Sequence, residues 1–243
     1  MVTSPRFLTD KAKAIARPIR EFTVKEYYRL AEVGILQPDE NIELLEGQII
    51  EKYTDFQPRL FTVDEYYTMA ESGIFQPDER LELLEGIIVE KMVPQGVPHA
   101  KFIRRADRLL EKTLGDEFYV HTQLPIHLGK QCEPEPDIFV TRTDILDADD
   151  KHPEASDILL VIEVADSTLK SDLTSKKTTY AKAGIIEYWV IDVNNQKLHV
   201  FREPVEDDYQ NIQALDETQI IVPLAFPNIE IPVIQLLSSP SKK

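Results

Sequence analysis

Two acidic residues in apolar, strand-like segments constrain the fold of this chain more than any other feature. Asp137 lies in the run PDIFV at 136–140, and Glu163 lies in the run ILLVIEV at 158–164. Burying a carboxylate is unfavourable because desolvation disfavours its charged form. From spacing alone, the two acids either face solvent and pair with lysines, or lie side by side in a sheet and share a divalent metal ion. The second alternative predicts a metal site on two adjacent strands.

The composition is that of an ordinary globular chain with an acidic balance. The 243 residues include 42% hydrophobic and 29% charged residues, and the formal net charge is -16. This charge argues against a protein that coats nucleic acid, although a local basic patch can still bind phosphates. No apolar run is long enough to span a bilayer, and residues 1–20 lack the apolar core of a signal peptide. The single cysteine, Cys132, excludes an internal disulfide and indicates a reducing cytoplasm.

The N-terminal part contains two nearly identical segments, residues 22–52 and 61–91, which we call the first copy and the second copy. About two thirds of their positions are identical at a constant offset, which is typical of a tandem duplication. Thr23 and Thr62 are expected to cap a short helix, and an apolar stretch around Leu-Leu-Glu-Gly then predicts a strand. Only the second copy runs directly into the rest of a domain. We therefore expect the first copy to pack as an extra helix and hairpin, or to compete with the second for one docking position.

The remaining chain alternates predicted helices and strands. Helices are expected at 99–114 and 172–183, and strands at 118–121, 125–128, 136–140, 158–164, 187–192, 197–202 and 219–223. This order predicts an α/β fold in which helices flank a mixed β-sheet. The expected organisation is a basic, flexible tail over 1–20, the first copy within 21–60, a domain over 61–237 and a tail over 238–243.

Basic residues occupy much of the polar face of the predicted helix over 99–114. They are Lys101, Arg104, Arg105, Arg108 and Lys112. Such a face is most often simply solvated. On an acidic protein it is also the best candidate for contacts with the DNA backbone. His99 opens this helix, and because most lone histidines are structural we assign it no role.

Two lysines follow Glu163 on the next predicted helix. Lys176 and Lys177 lie between Leu173 and Tyr180, which mark the apolar stripe of that helix. At roughly 100° per residue, the two lysines flank the stripe on either side. Either can lean toward the carboxylates, and the geometry alone does not choose between them.

Several motifs together resemble the Uma family of restriction-endonuclease-like proteins, which belongs to the PD-(D/E)XK nuclease superfamily. The motifs are EPDI at 135–138, VIEVADS at 161–167, DLTSK at 172–176 and YAKAGIIEYWVID at 180–192, and the resemblance covers roughly residues 61–237. It implies a restriction-endonuclease-like core with Mg²⁺, or Mn²⁺, bound by Asp137 and Glu163. It also implies that Glu85 completes the acidic cluster and that Lys176 is the site lysine.

The chain departs from the superfamily pattern in two places. The lysine that normally follows the glutamate by two residues would fall at Ala165, so its role would have moved to Lys176. Glu46 in the first copy also duplicates Glu85, and only one of them can join the site.

The leading hypothesis is a cytoplasmic, Mg²⁺-dependent endonuclease acting on DNA, with Lys101, Arg104, Arg105 and Arg108 as DNA contacts. One alternative is a nuclease-fold binding module that no longer cuts. Another is a metal-dependent hydrolase of a small phosphorylated molecule. A homodimer is compatible with the leading hypothesis, because two copies of one site are often used to cut both strands of a duplex.

Overall fold

The chain forms two compact units in a computed structural model. The structure describes residues 15–52, 56–91, 97–115, 117–142 and 152–237. The first unit, which we call the repeat unit, comprises Met1–Val93 and Gly129–Pro134, and the second, the sheet unit, comprises Pro94–Leu128 and Glu135–Lys243. Within the described ranges, no helix combines the length and the apolar character needed to cross a membrane.

In the repeat unit, each copy folds into one helix followed by a two-stranded antiparallel hairpin. The elements are α1 (Val24–Glu32), β1 (Ile42–Leu45) and β2 (Gln48–Glu51) in the first copy, and α2 (Val63–Glu71), β3 (Leu81–Leu84) and β4 (Ile87–Glu90) in the second. Thr23 and Thr62 cap the helices as predicted. Each threonine accepts a hydrogen bond from the backbone of the glutamate three residues later, and that glutamate closes a capping box.

The Leu-Leu-Glu-Gly stretches differ from the prediction, because each one folds back instead of continuing as a single strand. Glu46 and Gly47 have φ values of 46° and 79°, and Glu85 and Gly86 have φ values of 49° and 82°. Two consecutive residues with positive φ form the tight turn that suits the right-handed twist of a hairpin. Glu85 and Glu46 are therefore turn residues.

The two copies of the repeat unit share one hydrophobic core, so the first copy packs as an extra helix and hairpin. Six buried residues come from each copy: Phe22, Leu30, Ile35, Leu36, Ile42 and Ile49, and Phe61, Val63, Met69, Ile74, Leu83 and Ile88. Part of the expected N-terminal tail also belongs to this unit, since Ile15, Arg17 and Arg20 are buried. Residues 1–14 of that expected tail lie outside the described residues, as do 238–243.

The segment Gly129–Pro134 distinguishes the two copies within the repeat unit. It lies along the second copy, where the Val63 N–H donates to the Lys130 carbonyl oxygen at 2.8 Å. Val63 is 6% exposed, whereas Val24, its counterpart in the first copy, is 63% exposed. The second copy is therefore the one that this segment covers.

The sheet unit confirms the predicted mixed α/β architecture. Six strands lie in the order β10-β9-β8-β7-β6-β5, in which β7 and β8 are parallel and the other neighbours are antiparallel. Their bounds are β5 (Phe118–Thr122), β6 (Ile138–Arg142), β7 (Ile158–Ala165), β8 (Glu187–Asp192), β9 (Lys197–Val205) and β10 (Asp208–Leu215). The predicted strand at 125–128 is wrong. Pro125 lacks a backbone N–H, and this segment makes only an isolated bridge from His127 to Glu154.

Helices cover both faces of this sheet. The helix α3 (Val97–Leu114) packs with apolar residues on one face, and the opposite face is covered by a continuous helical segment from Leu169 to Lys182. That segment consists of α4 (Leu169–Ser171), a π-helical stretch (Asp172–Lys176) and α5 (Lys177–Lys182). Two short strands, β11 (Ile220–Ile221) and β12 (Ile231–Pro232), and α6 (Ile234–Leu237) complete the unit. The central strand β7 is almost entirely buried, which explains its nearly continuous apolar sequence.

Burial of Cys132 in the repeat unit gives a direct test of this fold. The side chain is 7% exposed, and burial raises the pKa of its thiol to about 12. Since only the thiolate reacts, we expect native protein at pH 8 to react with a disulfide reagent roughly a thousandfold more slowly than urea-unfolded protein. Stopped-flow labelling measures both rates, and equal rates would contradict this packing.

Candidate active site

The pairing of β6 with β7 brings Asp137 and Glu163 together. Ile138 lies opposite Ile162 in the antiparallel register, so extending the register by one residue places Asp137 opposite Glu163 on the same face of the sheet. The Val164 N–H donates to Asp137 Oδ2 at 2.9 Å and fixes that carboxylate against β7. Asp137 is 5% and Glu163 4% exposed, so both acids are buried, as the apolar runs around them predict.

The helical segment that covers this face supplies two partners for Glu163. Lys176 Nζ donates to Glu163 Oε1 at 2.5 Å, and the Tyr180 hydroxyl donates to the same oxygen at 2.8 Å. Lys176 is 1% exposed, and Tyr180 is fully buried. Because one carboxylate oxygen accepts from both donors, the orientation of Glu163 is set by the helix.

The π-helical stretch explains why Lys176 lies at the centre of the buried face and not at its flank. Among the buried residues of this segment, Asp172, Lys176 and Tyr180 follow one another at a constant spacing of four. Wider helical turns, which the sequence periodicity did not predict, bring side chains at this spacing into line. Lys177 instead leaves the site, and its Nζ lies 2.6 Å from Asp208 Oδ1.

His99, to which the sequence alone assigns no role, is a further member of the site. Its Nε2 lies 3.4 Å from Asp137 Oδ1. Burial alone would lower the pKa of His99, but the hydrogen bond and negative charge of Asp137 outweigh it and raise that pKa. Burial would raise the pKa of Asp137, yet His99, Lys176 and the Val164 N–H lower it overall. These shifts favour a charged His99 beside an ionised Asp137.

Neither His99 nor Tyr180 had a sequence signal that assigned it to the site. His99 is a lone histidine at the start of a helix, and Tyr180 reads as a core aromatic residue. Tyr180 was placed on the inward stripe, so its burial was predicted while its hydrogen bond was not. Both contacts depend on which strand and helix faces meet, which a single sequence does not specify.

Glu85 and Glu46 occupy equivalent turns of the repeat unit, and the role expected of Glu85 stays a prediction. Among the described residues of the second copy, the buried acid is instead Glu82, which is 1% exposed. Its Oε2 lies 3.3 Å from Arg17 Nη1, and its Oε1 lies 3.9 Å from Lys91 Nζ. The equivalent residue of the first copy, Glu43, is exposed.

The basic residues of α3 lie largely on its solvent-exposed side. Lys101, Arg104 and Arg108 are exposed, and Arg105 is half-buried. The buried side of the helix contains Phe102, Ile103, Ala106 and Leu110, which pack in the sheet core. The helix therefore presents positive charge to solvent, as its sequence predicts.

The acids of the site can be compared with what a divalent metal ion needs. Across residues 15–52, 56–91, 97–115, 117–142 and 152–237, no group of three or more His, Cys, Asp or Glu side chains is arranged to hold a metal ion. Magnesium requires only one or two carboxylates from the protein, because it retains several water ligands. Asp137 and Glu163 are neighbouring hard oxygen donors, so their chemistry fits Mg²⁺.

The buried ion pair between Lys176 and Glu163 makes stability sensitive to either partner. Glu163→Met leaves a buried ammonium group without its main partner, and we expect a loss of about 3–5 kcal/mol in the free energy of unfolding. Combining it with Lys176→Met should restore much of that loss. Urea unfolding in EDTA measures both effects. Lys177→Met is the matched control and should cost about 1 kcal/mol or less, because its partner Asp208 is largely exposed.

Comparisons with known proteins agree with this architecture. The profile of the Uma2 family, described as "Putative restriction endonuclease", matches residues 63–234. The structure of a putative nuclease belonging to DUF820 from Anabaena variabilis ATCC 29413 has a similar fold, with a TM-score of 0.57 and 20% identity over 72% of this chain and 97% of that chain. A comparison with curated proteins gives no match. Because the family profile matches most of its length, this chain belongs to the Uma2 family of restriction-endonuclease-like proteins.

Proposed function

We propose that this protein is a divalent-metal-dependent endonuclease that hydrolyses DNA phosphodiester bonds. The observation that carries the proposal is the meeting of Asp137, Glu163 and Lys176 at one buried point of the sheet unit. Two carboxylates and one amine are the groups that the family resemblance assigns to the site. Membership of the Uma2 family supports nuclease activity, and the chemistry of the site and the charge of α3 support the metal ion and the DNA substrate.

Asp137 and Glu163 would hold the metal ion, with Mg²⁺ as the first candidate and Mn²⁺ as the second. When bound, such an ion polarises a phosphate oxygen and lowers the pKa of an attacking water. The protein contributes orientation, since the Val164 N–H fixes Asp137 while Lys176 and Tyr180 fix Glu163. Held in this way, the carboxylates need little rearrangement before the reaction.

Lys176 would stabilise the negative charge that builds on the phosphate, or orient the attacking water. The superfamily places a lysine two residues after the glutamate, which here is Ala165, a fully buried position of β7. Lys176 reaches the same glutamate from the covering helix. A helix beside the strand can therefore supply the amine that the strand lacks.

The exposed basic side of α3 supports DNA as the substrate. Its Lys101, Arg104, Arg105 and Arg108 concentrate positive charge on a protein whose formal net charge is -16. Such a patch can bind phosphates without sequence preference. For cleavage of both strands of a duplex, we propose a homodimer, and the single buried Cys132 supports a reducing cytoplasm as the location.

The carboxylates provide the first test of the function. We expect Asp137→Asn to reduce Mg²⁺- or Mn²⁺-dependent cleavage of plasmid DNA by at least about a hundredfold, because one metal ligand loses its charge. Calorimetric titration should show weaker metal binding by the same variant. Asp208→Asn is the matched control and should cleave at the wild-type rate. Equal activity of wild type and Asp137→Asn would disprove the catalytic proposal.

A comparison of variants at Lys176 and Lys177 distinguishes a specific role of Lys176 from the general effect of losing one positive charge. Lys176→Met should reduce cleavage by about a hundredfold or more, because the charge on the phosphate loses its cation. Metal binding should weaken without disappearing, since Asp137 is unchanged and Tyr180 still donates to Glu163. Lys177→Met removes the same charge one residue away and should retain activity. A comparable loss in both variants would contradict the assignment of Lys176.

The basic helix predicts the salt dependence of DNA binding. Replacing Arg104 and Arg108 by alanine should weaken binding uniformly across DNA sequences, and it should reduce the slope of log K against log salt by about 1 for each phosphate that the helix no longer neutralises. Fluorescence anisotropy at several salt concentrations measures this slope, in Ca²⁺ to avoid cleavage. An unchanged slope would show that DNA does not bind this helix.

The absence of a lysine at Ala165 favours a second candidate, a nuclease-fold module that binds DNA without cutting it. Metal binding together with salt-dependent DNA binding, but without cleavage of any DNA substrate, would support this candidate. Cleavage of a small phosphorylated molecule in the absence of DNA binding would instead favour a small-molecule hydrolase.

A further inference from the structure

The two copies of the repeat unit exchange the short segments that precede them. We call residues 18–20, before the first copy, the first arm, and residues 57–59, before the second copy, the second arm. The first arm pairs with the hairpin of the second copy: the Arg20 N–H donates to the Ile88 carbonyl at 2.9 Å, and the Glu90 N–H donates to the Pro18 carbonyl at 2.9 Å.

The second arm makes the equivalent bonds to the hairpin of the first copy. The Arg59 N–H donates to the Ile49 carbonyl at 2.9 Å, and the Glu51 N–H donates to the Gln57 carbonyl at 2.9 Å. Each of these four residues is the counterpart, at the constant offset between copies, of one residue in the first set. The copies are thus related by a pseudo-two-fold exchange.

Two arginines at equivalent positions repeat this exchange with their side chains. Arg20 bonds Glu26 of the copy that it precedes at 2.6 Å, and Glu79 of the other copy at 2.8 and 3.1 Å. Its side chain is 4% exposed. The guanidinium also lies over the ring of Phe22, 4.8 Å from its centroid.

Arg59 makes the corresponding contacts in the opposite sense. It bonds Glu65 of the copy that it precedes at 2.7 Å, and Glu40 of the other copy at 2.7 and 3.1 Å. Its guanidinium lies 4.9 Å from the centroid of the Phe61 ring. Phe22 and Phe61, which are equivalent residues, meet with their ring centroids 5.8 Å apart, as expected at a two-fold axis.

An interface in which residue i of one partner meets residue j of the other, and j meets i, is the isologous kind that identical subunits form. Here both partners belong to one chain. We propose that each copy carries a self-complementary docking surface whose partner is another copy of the same unit, and that the first copy occupies this surface of the second intramolecularly. The external partner that fits this surface is therefore a second molecule of this protein, and the first copy excludes it from this surface alone.

Intramolecular pairing is favoured because the two copies are joined by a short connection, which gives an effective concentration on the order of millimolar. If only the contacts between the first and the second copy of one chain are weakened, a copy should instead pair with the same copy of a second molecule. This consequence does not depend on the proposed nuclease activity, and either proposal can fail alone.

The test uses the full chain with two substitutions in the first copy and its arm. Arg20→Gln and Glu40→Lys remove the arginine that meets Glu79 and reverse the charge that meets Arg59. They leave Arg59 and Glu79 unchanged, so the second copies of two molecules can still form both charge pairs with each other. We expect this variant to have twice the wild-type mass by light scattering at about 100 µM, and to revert on dilution.

Two further variants keep the result decisive. The mirror variant, Arg59→Gln with Glu79→Lys, leaves the first copy intact and should also double the mass, which covers the case that one variant fails to fold. Carrying all four substitutions should abolish the doubling, because neither copy then offers a complete surface. Circular dichroism confirms that each variant is folded.

The pattern of masses decides the proposal. Doubling in both two-substitution variants and its loss in the four-substitution variant supports a homotypic surface. Wild-type mass in every folded variant, with or without a lower melting temperature, shows an ordinary internal contact and overturns the proposal. Doubling that persists with all four substitutions would place the association elsewhere and would overturn it as well.

Discussion

The hydrogen-bonded ion pair between Lys176 and Glu163 is the interaction on which the arrangement of the site depends. Both side chains are almost fully buried, and each would be costly without the other. The pair ties the central strand β7 to the helical segment that covers it, while the Val164 N–H ties Asp137 to the same strand. The unfavourable burial of the Asp137 and Glu163 carboxylates is thus compensated by protein groups before any ligand binds.

Much of the sheet unit could be predicted because its signals are local. The apolar runs of β6, β7 and β8 are visible in the sequence, and the family resemblance implied the core that they form. The π-helical stretch could not be predicted, since regular 3.6-residue periodicity placed Lys176 at the flank of the helix. The roles of His99 and Tyr180 could not be predicted for a related reason, because they depend on contacts between segments that are distant in the sequence. His99 contacts Asp137, and Tyr180 contacts Glu163.

The two copies of the repeat unit show how similar sequences acquire different environments. Val63 and Glu82 are buried in the second copy, whereas Val24 and Glu43 are exposed in the first. Local propensity is the same in both copies, so each forms the same helix and hairpin. What differs is the tertiary packing, to which Gly129–Pro134 contributes on the second copy alone. Sequence similarity therefore predicts that the two copies share one secondary structure, but it does not predict their different exposure.

The π-helical stretch has a consequence for how such a site can change over time. Removing one residue ahead of Lys176 would turn the following side chains by roughly 100° about the helix axis. Lys176 and Tyr180 would then both lose Glu163, because they reach it from the same side of the helix. The loss of a single codon in this stretch would therefore separate the Glu163 carboxylate from both of its donors without changing any residue of the sheet.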